Sequence, residues 1–326
     1  MLQTPPLKTF ALLLMAVLLS PLASWAQRKV TILEHGDSLV IKPLTVLNSP
    51  YPETNLTITP DGEYLYFTSL RGGQSWSSQY MTFQGDSVHD GDIWFAQRID
   101  SQWQAPVCLP YGLNTSQGED EPNVAADGQG VYFQSWNYLW AQNGGPYYFA
   151  TRNDSGEWSP KKGLGGGITE FFKKMIATDG MSIGPEGKRF LVAAGMEYEG
   201  NMDIYMSRRD SIGWSACKKL AISSPGNERS VFMAADGKTI YFASDGYAGL
   251  GGLDIFKTTL SDDNDFGEVI NLGAPFNTPD DDYGFVITGD GKEAYFVRDG
   301  DIYFVELAKA DQGIRPAVSP PRTETN

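Results

Sequence analysis

Short apolar strands alternate with polar turns five times along the chain. The turns are Asp61-Gly62, Asp127-Gly128, Glu186-Gly187, Asp236-Gly237 and Asp290-Gly291, spaced 66, 59, 50 and 54 residues apart. After each comes a compact apolar segment: Tyr64-Leu65-Tyr66-Phe67, Val131-Tyr132-Phe133, Phe190-Leu191-Val192, Ile240-Tyr241-Phe242 and Ala294-Tyr295-Phe296-Val297. Four units then add an Asp-Ile-aromatic segment, at Asp92-Ile93-Trp94, Asp203-Ile204-Tyr205, Asp254-Ile255-Phe256 and Asp301-Ile302-Tyr303. Asp-Gly pairs supply the positive φ that tight hairpins need. A run of four apolar residues with little alternation suits a strand covered on both faces. Several strands per unit at a period near 50 residues predict a β-propeller.

Each unit reads as four strands. After the third strand an aromatic is followed six residues later by leucine, as in Trp103 and Leu109, Trp158 and Leu164, Trp214 and Leu220, and Phe266 and Leu272. That pairing marks a fourth, outermost strand. The fifth unit ends after three strands, while the segment Pro43-Leu44-Thr45-Val46-Leu47-Asn48 precedes the first hairpin. Asn48 stands thirteen residues before Asp61, as Asn114 does before Asp127 and Asn277 before Asp290. The expectation is an all-β, five-bladed propeller of four-stranded blades over residues 27–307. An N-terminal strand completes the last blade and closes the ring, removing an exposed edge.

The stretches Pro60-Asp61-Gly62 with Tyr66-Phe67-Thr68-Ser69, and Ala235-Asp236-Gly237-Lys238 with Tyr241-Phe242-Ala243-Ser244 and Gly252-Leu253-Asp254-Ile255-Phe256, carry a resemblance. They resemble the WD40-like β-propeller repeat of the TolB type, over roughly Asn48 to Leu307. The third unit departs from it with Glu186 for Asp, and the second has Pro146 where the Asp of Asp-Ile belongs. The resemblance implies a propeller in the periplasm or outside the cell, often a protein-binding module. Some relatives are enzymes, so it speaks to fold more than to activity.

The ends change the picture of where the chain works. Lys8, the apolar run Phe10 to Leu19 and Ser24-Trp25-Ala26 predict a cleaved signal peptide over residues 1–26. The run is too short for a membrane span, and no Cys at the cleavage point suggests a lipid anchor. A periplasmic or secreted protein follows. The segment 308–326, with Pro316, Pro320 and Pro321 and few apolar residues, is expected to be a disordered tail. A net charge of −15 and a pI near 4.5 argue against nucleic acid and anionic membranes as partners. Cys108 and Cys217 are the only cysteines and are read as unbridged thiols.

Candidate chemistry is sparse. With His35 and His89 the only histidines, no multi-histidine metal site can form, and a Ser-His-Asp triad is weakly supported. No Gly-x-Ser-x-Gly elbow is present. Neither a catalytic residue, a metal nor a cofactor is expected. Eight residues before each turn stand Glu53, Glu119, Thr178, Glu228 and Asp282, with Asp120 beside them. In a propeller these positions begin the innermost strands. Such acids either ring a channel mouth that attracts a basic partner or accept backbone hydrogen bonds where loop meets strand. The regular recurrence of the position speaks for the second. The long loop from Arg71 to Gly91 holds Trp76, Tyr80, Met81 and Phe83, which form either a contact surface or a cover folded on the blade. Gly165 to Met175, with Phe171 and Phe172, reads as an irregular insertion packing on the body. The leading reading is a monomeric, non-enzymatic exported propeller that binds a protein or cell-envelope partner on the channel-mouth face. Candidate contacts are Glu53, Glu119, Asp120, Glu228, Asp282, Trp76, Tyr80 and Phe83. The alternatives are a carbohydrate-active enzyme, glycosidase or lyase, using two channel carboxylates, and a sugar-binding lectin.

Overall fold

Each Asp-Gly pair closes a hairpin by the same chemistry. The glycines Gly62, Gly128, Gly187, Gly237 and Gly291 all take φ between 67° and 74°, where a Cβ would be strained. In four turns the Asp carboxylate accepts the backbone N–H two residues on: from Glu63 to Asp61, Gln129 to Asp127, Lys238 to Asp236 and Lys292 to Asp290. In the third turn Glu186 instead pairs with Arg189.

The computed structural model describes residues 30–316, apart from 36–38, 73, 77–79, 84–85, 198–200, 262–264, 309–310 and 312. The expected signal peptide lies outside the described residues. Five antiparallel blades form a ring. Blade 1 comprises Glu53–Ile58, Tyr64–Ser69, Asp92–Ile99 and Val107–Cys108; blade 2 comprises Glu119–Val124, Gly130–Ser135, Tyr147–Thr151 and Lys162–Gly163. Blade 3 is built from Ala177–Ile183, Arg189–Gly195, Asp203–Arg208 and Lys218–Lys219, and blade 4 from Glu228–Met233, Thr239–Ser244, Asp254–Thr259 and Ile270–Asn271. Blade 5 takes Asp282–Ile287, Glu293–Arg298 and Asp301–Glu306 from the C-terminal end and Lys42–Pro43 from the N-terminal end. The first strands adjoin one another cyclically, blade 5 back to blade 1. They therefore surround the axis.

Closure works as the Asn spacing predicts. Lys42 and Pro43 pair with Phe304 and Tyr303, and the Leu44 amide donates to the Ile302 carbonyl. Blade 4 carries a further strand that sequence reading did not anticipate. Thr31–Ile32 runs parallel to Ile270–Asn271 on its outer edge. The N-terminal segment thus covers the outer edges of two blades, leaving fewer unpaired backbone groups there.

The apolar core is divided among the five blade-to-blade junctions. Tyr66, Phe133 and Leu109 fill the junction of blades 1 and 2, and Phe190, Tyr147 and Trp214 that of blades 2 and 3. Phe242, Phe256 and Leu220 lie between blades 3 and 4, Tyr241, Phe285 and Phe296 between 4 and 5, and Phe67, Tyr295 and Leu47 between 5 and 1. This is why the second strands are apolar on both faces. Among the described residues beyond Leu307 one is anchored in the core. Ile314 is fully buried in the core between blades 4 and 5, and its carbonyl accepts the Tyr241 hydroxyl at 2.6 Å. The insertion after blade 2 forms a short helix, Gly166–Phe172, which buries Phe172 against Trp136 and Tyr147.

Candidate functional site

The four recurrent acids are tied into their blades. Glu53, Glu119, Glu228 and Asp282 open their first strands and are at most 1 % exposed. Each accepts a backbone N–H and a hydroxyl from the Ser or Thr four residues earlier: Ser49, Thr115, Ser224 and Thr278. The serine ending the second strand adds a bond in three blades, from Ser69, Ser135 and Ser244. Cations complete three of the four sites: Arg71 on Glu53 at 2.8 Å, Lys161 on Glu119 at 3.4 Å and Arg298 on Asp282 at 2.6 Å. Among the described residues no cation pairs with Glu228. Burial, opposed by its serine bonds, pushes that carboxyl up to about 7. These acids bind the incoming loop to the strand. They do not form an open ring at a mouth, so as surface contacts Glu53, Glu119, Glu228 and Asp282 are corrected to internal clamps.

The next position along each first strand is different. Thr54, Asp120, Asp179, Arg229 and Tyr283 are all half-buried, and no two blades other than 2 and 3 carry the same residue. Arg229 donates to Asp179 at 3.1 Å. Burial raises the Asp179 carboxyl, Arg229 opposing and Asp120 adding to the rise. Asp120 accepts from Asn55 at 2.8 Å, from the Thr68 hydroxyl at 2.7 Å and from the Glu121 amide at 2.7 Å. Of the acids expected at the channel, Asp120 is the one left half-buried, bonded across to Asn55 and Thr68 of blade 1. Arg229 and Tyr283 went unnoticed in the sequence because nothing in their own blades repeats them.

One residue further on, every first strand bulges. The pairing register slips between Thr54 and Thr57, Asp120 and Asn123, Thr178 and Met181, Arg229 and Phe232, and Tyr283 and Val286. The bulged residues Asn55, Glu121, Gly180, Ser230 and Gly284 all have positive φ, from 50° to 89°. The five bulges line a cavity on the axis, with room of about 10 Å³ for a water-sized species. Glu121 accepts the Tyr147 hydroxyl at 2.6 Å, and Gln134 donates to Tyr147 and to Thr178. Burial, then Asp120, push the Glu121 carboxyl up to about 8 against the Tyr147 and Thr178 hydroxyls.

Below the bulges Phe232 stops the channel. Three interblade bonds fasten the strands at this level: Val124 N–H to Thr57, Ile183 N–H to Asn123, and Met233 N–H to Ser182. Blades 4 and 5 place Phe232 and Val286 where those acceptors stand. Phe232 packs into the cores on both sides of blade 5 and lines both the axial cavity and a funnel below it. That funnel is lined by Ile58, Val124, Ile183, Met233 and Ile287, with Pro60 and Pro185.

The long loop of blade 1 contains a two-stranded hairpin, Tyr80–Phe83 with Asp86–His89. Trp76, half-buried, packs at 5.7 Å from Tyr111 in the connection to blade 2. The side chains of Tyr80 and Phe83 lie outside the described residues. On the turn face, Lys188, Arg189, Arg208, Arg209 and Lys238 line a groove of about 430 Å³ between blades 3 and 4. No group of three or more His, Cys, Asp or Glu arranged to hold a metal occurs among the described residues. Cys108 and Cys217 are unbridged.

No family model matches the chain, and no curated protein sequence matches it. Solved structures are similar to it over most of its length. TolB from Acinetobacter baumannii is 14% identical with a TM-score of 0.43, covering 80% of this chain and 56% of that one. The chain therefore spans just over half the length of that neighbour. An α-L-arabinofuranosidase from Lactobacillus brevis is 14% identical with a TM-score of 0.45, covering 81% and 92%. A gluconolactonase from Xanthomonas campestris is 10% identical with a TM-score of 0.44, covering 83% and 91%. A fold does not fix a function, so function rests on the site. Among the described residues no helix is long and apolar enough to cross a membrane.

Proposed function

We propose that the chain is an exported, non-catalytic propeller that binds a protein or cell-envelope partner on the face where its first strands begin. One observation carries this reading. The clamp position is nearly uniform around the ring, whereas the half-exposed position beside it carries Thr54, Asp120, Asp179, Arg229 and Tyr283. A scaffold role calls for the same residue in every blade. A recognition role calls for different ones, because a partner without fivefold symmetry meets each blade differently. Trp76, packed against Tyr111 in the connection from blade 1 to blade 2, would extend this surface.

A second reading has its own observation. Burial, then Asp120, push the Glu121 carboxyl up beside a second acid, a pattern found at general acids. The space beside it admits one water-sized species, far below what a sugar ring requires. Asp120 is also engaged by three donors. Binding is therefore favoured over hydrolysis.

The test uses mature protein as bait against envelope extract, beside an Asp179→Asn, Tyr283→Phe variant of matched thermal stability. Selective loss of a captured component from the variant supports the proposal. Equal capture by both removes the mouth as the contact. Turnover of lactones or arabinofuranosides by wild type, abolished in Glu121→Gln, would establish the enzymatic reading instead.

A further inference from the structure

Of the buried side-chain atoms without a hydrogen-bond partner among the described residues, three oxygens belong to the bulges around one cavity. Asn55, Glu121 and Ser230 are 8, 1 and 5 % exposed. The Asn55 Oδ1, Glu121 Oε1 and Ser230 Oγ atoms have no hydrogen-bond partner among the described residues. Buried polar atoms left this way cost about 1–3 kcal/mol each, and three in one place is a concentration to be explained. Their orientation is not arbitrary. Asn55 Nδ2 donates to Asp120, which can only accept when ionised, so the amide oxygen must be the atom left over. Glu121 Oε2 holds the Tyr147 hydroxyl and the Thr178 hydroxyl lies near the same carboxyl, while Oε1 has no direct hydrogen bond among the described residues. Ser230 occupies the same left-handed bulge as the other two, with φ of 51° against 50° and 53°.

All three residues line the single axial cavity, together with Gly180 and Gly284 at the remaining bulges. Those glycines bring backbone, not side chain, to the axis. At Gly180 a Cβ would come within 2.5 Å of the Ser230 Cα, so that blade accepts no larger residue without rearrangement. The surrounding charge has one dominant sign. Asp120 and Asp179 both lie close enough to act on Glu121, and Arg229 is paired to Asp179. An anion is disfavoured here. A carboxylate, an amide oxygen and a hydroxyl form a hard oxygen donor set, without the nitrogen or sulfur that zinc or copper prefer.

We propose that the axial cavity binds one hard cation, of the calcium class, through Glu121 Oε1, Asn55 Oδ1 and Ser230 Oγ. Such an ion links blades 1, 2 and 4 across the axis. Its role is to lock the ring at its narrowest point. The site goes beyond the partner-binding proposal and does not depend on it. It also goes beyond the sequence expectation of no metal, because the donors are identified by which of their atoms the fold leaves unpaired.

The probe is calcium chloride added to chelator-treated mature protein, followed by thermal unfolding and titration calorimetry. The expected result is one ion per chain and a melting temperature that rises by about 5 °C at a hundredfold excess over Kd. Glu121→Gln retains shape and the Tyr147 contact and should weaken calcium binding at least about tenfold. Ser230→Ala gives an opposed pair of effects that a purely structural serine would not show. It removes an unpaired buried hydroxyl, so the calcium-free protein should be as stable as wild type or more so, while the calcium response shrinks. It also serves if Glu121→Gln fails to fold. No response to calcium, magnesium or sodium would overturn the proposal and leave a water molecule as the occupant. An undiminished response in both variants would place the ion on the acidic surface and overturn it equally.

Discussion

Asn48 and Ile302 lie 254 residues apart and exchange a reciprocal pair of hydrogen bonds. The Ile302 amide donates to Asn48 Oδ1 at 2.9 Å, and Asn48 Nδ2 donates to the Ile302 carbonyl at 3.2 Å. Asn114 does the same to Ile93, and Asn277 to Ile255, within single stretches of chain. Ser223 performs the role more weakly toward Ile204. The side-chain amide imitates one residue of a strand and fastens each third strand to the loop that leads to the next blade. At Asn48 the same device joins the two ends of the ring.

Replacing Asn48 by Ala should cost about 1–3 kcal/mol, since the Ile302 amide loses its partner while the Ile302 carbonyl keeps only the Leu44 amide. Deleting residues 27–50 should do far more, exposing the edge of Asp301–Glu306 and giving aggregation. Thermal unfolding and size-exclusion chromatography check both. A deletion variant that remains monomeric with unchanged unfolding would show that the ring does not need its N-terminal strand.

The clamps make a second expectation. Asp282→Asn leaves Arg298 without its counter-charge beside a fully buried site. A loss of about 3 kcal/mol is expected in chemical unfolding. Glu119→Gln, whose Lys161 partner is also largely buried, should act in the same direction. If the acids instead served only to attract a partner, both variants would be as stable as wild type or more so.

Glu228 predicts a pH dependence of definite sign. Its carboxyl titrates near 7 in the folded protein against an ordinary 4.5. Between those values the native state binds more protons than the unfolded one, so stability falls as pH rises. The contribution is fully present below about 4.5 and lost above about 7, and amounts to about 3 kcal/mol at most. Glu228→Gln should flatten this part of the stability profile measured between pH 5 and 8. An unchanged slope would assign the dependence to other groups.

Phe232 supplies a fourth test. Phe232→Ala should join the axial cavity to the lower funnel and cost about 2–3 kcal/mol, less than for a fully buried ring because Phe232 is only partly buried. Phe232→Leu should recover most of that loss. Urea unfolding of the two variants gives the comparison, and equal stability of Ala and wild type would mean that the ring stops nothing.

Much of the architecture was legible in the residues themselves. Turn chemistry at Asp61-Gly62 and its four counterparts is local, the period repeats it, and Asn48 reveals closure by standing at the same distance from its turn as Asn114 and Asn277. Trp103 with Leu109 and its equivalents likewise mark the outer strands, for the leucine amides do pair with the third strands, as Leu109 with Ile93 and Leu272 with Ile255. These features are encoded in short stretches, so one chain read end to end displays them.

The site was not legible in that way, because its properties depend on direction and on neighbours from other blades. Glu119 and Asp120 are adjacent in the chain and chemically alike, yet the strand turns one into a buried clamp within its blade and the other toward Asn55 and Thr68 of blade 1. The bulge then decides which way Glu121 faces, through a positive φ that no residue type announces at Glu or Asn. Thr31–Ile32 finds its partner strand 239 residues away at Ile270, and Ile314 finds a pocket left open by two blades. Sequence determines which residues can form strands, turns and latches. Packing decides which oxygen is paired, which is left facing the axis, and therefore where a ligand can be held.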